Sequence, residues 1–116
     1  MAKEQVAVTD ERTRRIGENE NLFRTVNDKL EGLNESFGIV SDEFTVVCEC
    51  GDAMCVGRFT MSRDDYVGLR ADSTLFAIAP GHEAADVEDV VAKTTDYWIV
   101  RKQLGAPAEL AKTLDE

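Results

Sequence analysis

The three cysteines of this chain lie within eight residues, where Cys48, Cys50 and Cys55 form the pattern C-x-C-x4-C. The only histidine, His82, follows a Pro-Gly pair further along the chain. Thiolates at short spacing, together with an imidazole, are the ligands of tetrahedral zinc sites and of some iron–sulfur centres. The pattern therefore predicts a metal site at these four residues, with zinc favoured over an iron–sulfur cluster.

The local chain geometry suits such a site. Cys48 and Cys50 are two residues apart in an extended run, so their side chains point the same way with roughly 7 Å between Cβ atoms. Gly51 has no Cβ to obstruct a bend, and a bend there allows Cys55 to face back toward the first two thiols. The spacing leaves the fourth ligand open between the histidine, Asp52 and a water molecule.

Three other interpretations of the cysteines compete with a metal site. They are reduced thiols buried as small apolar side chains, a disulfide with one free cysteine, and a nucleophilic thiol with His82 as its base. The sequence has no glycine-rich phosphate loop, G-x-S-x-G or H-E-x-x-H motif that would indicate a class of enzyme. We therefore expect a non-enzymatic domain. The alternative is a redox-sensing thiol or an open metal site with catalytic activity.

Length and composition are those of a small globular domain. The 116 residues suit one hydrophobic core, and no apolar run approaches the roughly 20 residues of a membrane-spanning helix. The first residues form no apolar export signal and the clustered cysteines favour a reducing compartment, so we predict a cytoplasmic protein. The net charge of −10 argues against nucleic-acid binding, because phosphate contacts need clustered basic side chains.

The longest predicted element is an N-terminal helix over residues 9–36, preceded by a disordered lead of residues 1–8. Mostly apolar side chains recur along it at alternating spacings of three and four, as in a coiled-coil seam. The seam consists of Ile16, Asn19, Phe23, Val26, Leu30, Leu33 and Phe37. It is predicted either to cover the sheet that follows or to bind a protein partner or a second copy of the chain.

Alternating apolar residues predict a sheet after this helix. Residues 43–50 and 55–61 suit a hairpin whose loop carries the cysteines, and 74–79 suit a third strand. A capping box at Ser62 predicts a short helix between these strands. Helix and strand compete for residues 84–94, and β-branched side chains favour a last hairpin that turns near Thr95 and Asp96.

The predicted fold class is therefore α+β. A long N-terminal helix packs on a small, mainly antiparallel sheet of four to five strands, with a short helix after the second strand. The sheet occupies residues 43–103 of a single domain that spans residues 9–116. The segment 108–114 is predicted as a short terminal helix or a frayed tail.

Several short motifs occur together in an order that resembles a family of short, uncharacterised bacterial proteins. The motifs lie within residues 14–105 and are Asn19-Glu20, Phe23-Arg24, Asn27, Cys48-Glu49-Cys50, Cys55, Tyr66, Arg70, Pro80-Gly81-His82-Glu83, Tyr97, Val100 and Lys102. The resemblance implies that the cysteine cluster and the Pro-Gly-His-Glu segment belong to one design. It implies no activity.

The function predicted from these features is that of a small, cytoplasmic, metal-stabilised interaction or regulatory domain. In this hypothesis zinc joins the cysteine hairpin to the end of the third strand, and the N-terminal helix presents the surface that binds protein. No nucleic-acid or membrane partner is expected.

Overall fold

The structure is a computed structural model that describes residues 2–36 and 42–115, with side chains described for 11–33 and 42–115. The α+β class is confirmed. In chain order the elements are α1 (Ala2–Ser36), β1 (Glu43–Val47), β2 (Arg58–Ser62), α2 (Arg63–Arg70), β3 (Leu75–Ile78), β4 (Glu88–Lys93), β5 (Trp98–Lys102) and α3 (Ala106–Leu114).

The five strands form two antiparallel sheets rather than one. Strands β1 and β2 make the predicted hairpin, in which Val46 lies opposite Phe59. The other sheet has the order β3-β5-β4, and its β4–β5 hairpin turns where the sequence predicted. Residues 88–93 are therefore strand, which resolves the competition between helix and strand over that part of the chain.

The two sheets are joined at Glu49, just after β1. The backbone N–H of Glu49 donates to the carbonyl of Ala77 at 2.8 Å, and the N–H of Ala77 donates to Oε1 of Glu49 at 3.0 Å. The carboxylate thus takes the place of a strand carbonyl where the two sheets meet. As a result, the cysteine segment runs directly beside β3.

The core lies between the sheets and the helices. Its fully buried members include Val46, Tyr66, Phe76 and Val100, and the helix α2 contributes Leu69 as well. Burial of each such side chain contributes roughly 1.5–3 kcal/mol. The predicted cap of α2 is confirmed, because the Ser62 hydroxyl accepts a hydrogen bond from the N–H of Asp65 at 3.0 Å.

Helix α1 buries a polar face, in contrast to the predicted apolar seam. Glu20, Arg24 and Asn27 are almost fully buried, whereas Leu22 and Leu33 are more than half exposed. Of the predicted seam, Ile16 is buried and Asn19 half-buried, Phe23 and Leu30 are half-buried, and Val26 is exposed. Phe37 lies outside the described residues. The seam therefore does not cover the sheet as a continuous stripe.

Most polar groups of this buried face have partners, although Glu20 Oε2 and Arg24 Nε are buried without a hydrogen bond. The Asn27 side chain pairs with the backbone of Val47 as a neighbouring strand would, accepting from its N–H and donating to its carbonyl, both at 2.8 Å. The guanidinium of Arg24 donates to the carbonyls of Ser73 and Ala111 and lies 4.4 Å from the ring centre of Phe76. These bonds hold α1 to the body without an apolar stripe.

A buried charge cluster ties the same helix to the three-stranded sheet. The ammonium of Lys102 lies 2.8 Å from Glu20 and 3.2 Å from Glu88, and all three side chains are essentially inaccessible to solvent. Burial, followed by the nearby charge of Glu88, raises the pKa of Glu20 well above its ordinary value. The single cation therefore faces two carboxyl groups.

The first and last helices each begin earlier in the chain than the sequence predicted. Helix α1 begins at Ala2 rather than at residue 9, and α3 begins at Ala106 rather than at residue 108. The division into a disordered lead of residues 1–8 and one domain stays a prediction. The sequence also predicts a C-terminal helix stop at Gly38, which falls outside the described residues.

Candidate metal centre

The four residues predicted as metal ligands lie together although they come from three parts of the chain. Cys48 and Cys50 directly follow β1, Cys55 lies in the same loop before β2, and His82 follows β3. One donor atom from each lies within 4.8 Å of the others. This Cys3His group is an arrangement that could hold a metal ion.

The distances to the imidazole fit a tetrahedral ion. Nδ1 of His82 lies 3.6 Å from the sulfur of Cys48 and 3.5 Å from the sulfur of Cys55. With zinc–sulfur bonds of about 2.3 Å and zinc–nitrogen bonds of about 2.0–2.1 Å, tetrahedral angles separate S and N by about 3.6 Å. The distances from the imidazole to these two sulfur atoms therefore match the spacing around one four-coordinate ion.

Backbone N–H groups are directed at the sulfur atoms. The N–H of Ala79 donates to Cys48 Sγ at 3.1 Å, and the N–H of Gly57 donates to Cys55 Sγ at 3.3 Å. A backbone hydrogen bond from Asp52 likewise favours the thiolate of Cys50. Such donors stabilise a negatively charged sulfur, which is the form that binds a metal.

The metal-free cluster places its negative charge first on Cys48. The pKa of Cys48 is lowered because the Cys50 thiol donates a hydrogen bond to it, and the Ala79 N–H adds to this effect against the cost of burial. The pKa of Cys50 is raised by that same hydrogen bond and by burial, and the pKa of Cys55 is raised mainly by burial. A metal must therefore displace protons from the other two thiols.

A tight turn directs His82 toward the thiols. The N–H of His82 donates to the carbonyl of Ala79 at 3.1 Å across Pro80 and Gly81. Gly81 has φ of +84°, which only glycine adopts at little cost, and proline suits the preceding turn position. The third strand therefore ends beside the cysteine loop, so that the imidazole of His82 reaches the sulfur atoms of Cys48 and Cys55.

Asp52, the other candidate for the fourth ligand, is used inside the loop. Its carboxylate accepts from the N–H of Met54 at 2.9 Å, and its carbonyl accepts from the N–H of Cys55 at 3.0 Å. Its side chain is exposed and does not belong to the Cys3His group. Among the described residues, the geometry thus selects His82 and gives Asp52 the role of shaping the loop.

Helix α1 supports the cysteine loop directly. The amide of Asn19 donates to the carbonyl of Gly51 at 3.0 Å, and the amide of Asn27 donates to Oε2 of Glu49 at 2.8 Å. Asn19 was predicted only as a member of the helix seam, and no role was predicted for Glu49. A carboxylate between two cysteines on a buried strand was the available signal for Glu49, because a buried charge needs several partners.

Glu49 is fully enclosed between the two cysteines that flank it. Burial raises its pKa to about 7, while the amide of Asn27 and the N–H of Ala77 act in the opposite direction. Each carboxylate oxygen accepts one of these hydrogen bonds. The carboxyl group therefore fixes the direction of the strand segment that carries Cys48 and Cys50.

Substitution Gly51→Ala is expected to cost about 1–3 kcal/mol of stability, as overpacking does. An added Cβ would lie 2.5 Å from Cγ2 of Ile16, a β-branched side chain buried on helix α1. The helix and loop must then separate, which weakens the Asn19 bond to the loop. Urea unfolding measures the loss.

Gly68→Ala is the control and should raise stability by about 0.5–1 kcal/mol, because its helical Cβ meets no neighbour. Equal stability of Gly51→Ala and the unsubstituted protein would contradict this packing.

A cleft of about 500 Å³ adjoins the cluster. Cys50 and His82 form part of its wall, and Arg12 and Ile16 of helix α1 form the opposite side. His82 is exposed and Cys55 is half-buried, so the cluster is accessible from solvent on one side.

No protein-family model, curated protein or solved structure matches this chain. The resemblance to short bacterial proteins therefore stays a prediction. Among the described residues, none of the helices combines the length and apolar character needed to cross a membrane.

Proposed function

We propose that this chain is a small zinc-stabilised interaction domain. In this proposal Cys48, Cys50, Cys55 and His82 bind one structural zinc ion, which joins the β1–β2 loop to the end of β3. The observation that carries the proposal is the meeting of four donor atoms within 4.8 Å, with sulfur–nitrogen distances that fit a tetrahedral ion.

The chemistry of the donors favours zinc. Three thiolates and one imidazole are a common structural zinc set, and zinc accepts tetrahedral geometry without preference from its d electrons. Such sites also need hydrogen-bond donors that orient the ligands, and here the N–H groups of Ala79 and Gly57 donate to the sulfur atoms of Cys48 and Cys55. Because the thiols must remain reduced, we propose a cytoplasmic location.

The interaction role is supported by helix α1. Its buried face reaches the metal cluster through Asn19 and Asn27, whereas Leu22, Val26 and Leu33 remain exposed on the helix. The metal would hold in place the cysteine segment to which Asn19 and Asn27 bond, and the exposed side of the helix would bind a protein partner. This division assigns stability to the cluster and recognition to the helix.

Substitution His82→Ala is expected to weaken zinc binding by at least about 100-fold, because loss of an outer-shell partner alone costs 10–100-fold. Asp52→Ala is the control from the neighbouring cysteine loop and should change affinity by only a few-fold, since its carboxylate lies outside the donor group. Competition with a chromophoric zinc chelator measures both constants. A larger loss from Asp52→Ala than from His82→Ala would contradict the proposed ligand set.

A second candidate function is an open metal site or a redox-sensing thiol, and the cleft beside Cys50 and His82 favours it. Cobalt substitution separates the two functions. A closed site gives four-coordinate thiolate spectra that added small anions do not change. An open site gives spectra that shift when an anion replaces a bound water molecule. The closed spectrum is the result expected from the proposed structural site.

A further inference from the structure

Helix α1 has an apolar stripe that the rest of the described chain does not cover. Leu22 is 58% exposed, Leu33 is 52% exposed and Val26 is 38% exposed. At 100° per residue these three side chains fall within about 40° of one another around the helix axis. We call these three residues the α1 stripe.

The α1 stripe lies on the side of the helix opposite the body. Glu20, Arg24 and Asn27, which are buried against the body, lie about half a turn away around the axis. A second helix placed on the stripe would therefore not meet the sheets or α2. The stripe is also not needed for the fold, because the polar face already attaches α1.

The charge along the helix favours a neutral, self-complementary contact. The whole chain has a net charge of −10, yet residues 11–33 contain five acidic and five basic side chains. Contacts between two copies through other surfaces would be opposed by like charge, whereas this segment has no net charge. A neutral stripe is likewise not a complement for a strongly basic or acidic partner.

We propose that the α1 stripe binds a second copy of this chain, with the two helices antiparallel. This inference deepens the proposed function by naming the partner of the helix. With the two-fold axis midway between Leu22 and Val26, Leu22 of one copy lies beside Val26 of the other, and the reverse. It also places Glu18 of each copy near Lys29 of the other copy. A parallel pair would instead bring Glu18 against Glu18 and Lys29 against Lys29, which is unfavourable.

The orientation follows from helix geometry. Glu18 and Lys29 lie within about 40° of Leu22 around the axis, on the same exposed side, and they are nearly equidistant along the chain from the centre between Leu22 and Val26. Within one copy Glu18 contacts Arg14 at 3.3 Å, and both side chains are half exposed. Such an exposed pair is weak and does not prevent Glu18 from contacting Lys29 across a dimer.

Sedimentation equilibrium of the full chain, over a range of concentrations, tests the proposal. The expected result is a reversible dimer that Leu22→Glu weakens by at least about 10-fold, a modest effect for a charge placed in an apolar contact. The matched control is Leu104→Glu, because Leu104 is 95% exposed and lies outside the helix. It should leave the dimer unchanged. A protein that remains monomeric at all concentrations would overturn the proposal and leave the stripe to a different partner.

Charge reversal tests the antiparallel arrangement. Glu18→Lys alone and Lys29→Glu alone should each weaken the dimer, since each creates two like-charge contacts. The double variant should restore most of the lost affinity. Dimers that persist in Leu22→Glu, or a double variant weaker than both single variants, would overturn the arrangement.

Metal content measured on the same samples keeps this inference separate from the proposed function. A monomer that contains zinc contradicts the proposed dimer and supports the proposed zinc site. A dimer without metal contradicts the proposed zinc site and supports the proposed helix contact.

Discussion

Removal of the metal with a chelator is expected to lower the melting temperature by roughly 15 °C or more. A ligand present at 1,000 times its dissociation constant stabilises the folded state by about 4 kcal/mol, and for a domain of this size each kcal/mol corresponds to roughly 4 °C. The loss arises because the ion would bind only the folded chain, in which the donor atoms of Cys48, Cys50 and Cys55 lie within 4.8 Å of one another. Differential scanning fluorimetry, before and after chelation and with zinc returned, measures the effect.

Substitution Cys48→Ser provides the control for that experiment. The variant should melt below the unsubstituted protein, and chelator should lower its melting temperature no further, because the site has lost a buried ligand. An unchanged melting temperature in protein from which the metal has been removed would contradict a structural role for the site. A chelator effect of equal size in Cys48→Ser would show that the chelator acts elsewhere.

The substitution with the largest expected effect away from the cysteines is Lys102→Met. Methionine preserves much of the side-chain volume but leaves Glu20 and Glu88 buried without their cation. Breaking a buried ion pair by removing one partner costs about 3–5 kcal/mol. Urea unfolding at neutral pH measures this loss, and Lys112→Met is the control at an exposed lysine, expected to change stability by no more than about 0.5 kcal/mol.

The pH dependence identifies the cause of the Lys102→Met loss. Burial and the charge of Glu88 raise the pKa of Glu20 above its ordinary value of 4.5, so the folded state holds this proton at a pH where the unfolded chain has lost it. Stability therefore falls as the pH rises above 4.5, and removal of the cation enlarges that fall. The deficit of Lys102→Met should be small near pH 4.5 and complete at pH 8. A deficit that does not vary with pH would indicate lost packing instead.

The elements and the candidate ligands were accessible from sequence because local patterns determine them. Alternation along β1 and β2 follows from one buried face, and the Ser62 cap is a local hydrogen bond. The cysteines are close in sequence, so only His82 needed to be positioned by tertiary structure. Its turn signal, Pro80-Gly81, is itself local.

The face by which α1 attaches was not accessible in the same way. Periodicity identifies an apolar stripe, but it cannot show that Asn27 pairs with the backbone of Val47 or that Lys102 neutralises a buried glutamate on the helix. These partners lie 20 and 82 residues apart in the chain. Partners of this kind offset the free-energy cost of burying polar groups, and only the three-dimensional arrangement specifies them.

The division of the strands into two sheets could not be predicted from the sequence either, because it depends on tertiary contacts. The strands were predicted individually, but Glu49 connects the sheets through its carboxylate and its N–H at Ala77, a pairing that alternation does not reveal. The same pairing brings the cysteine segment beside β3. The Cys3His group and the sheet junction therefore depend on one another.

The most direct test of the zinc site is the metal content of protein purified under reducing conditions without added metal or chelator, combined with a thiol count before and after unfolding. The expected result is about one zinc ion per chain, with thiols that react only after unfolding, because metal binding is coupled to folding. Absence of metal, with all three cysteines reacting freely in the folded protein, would contradict the structural zinc site.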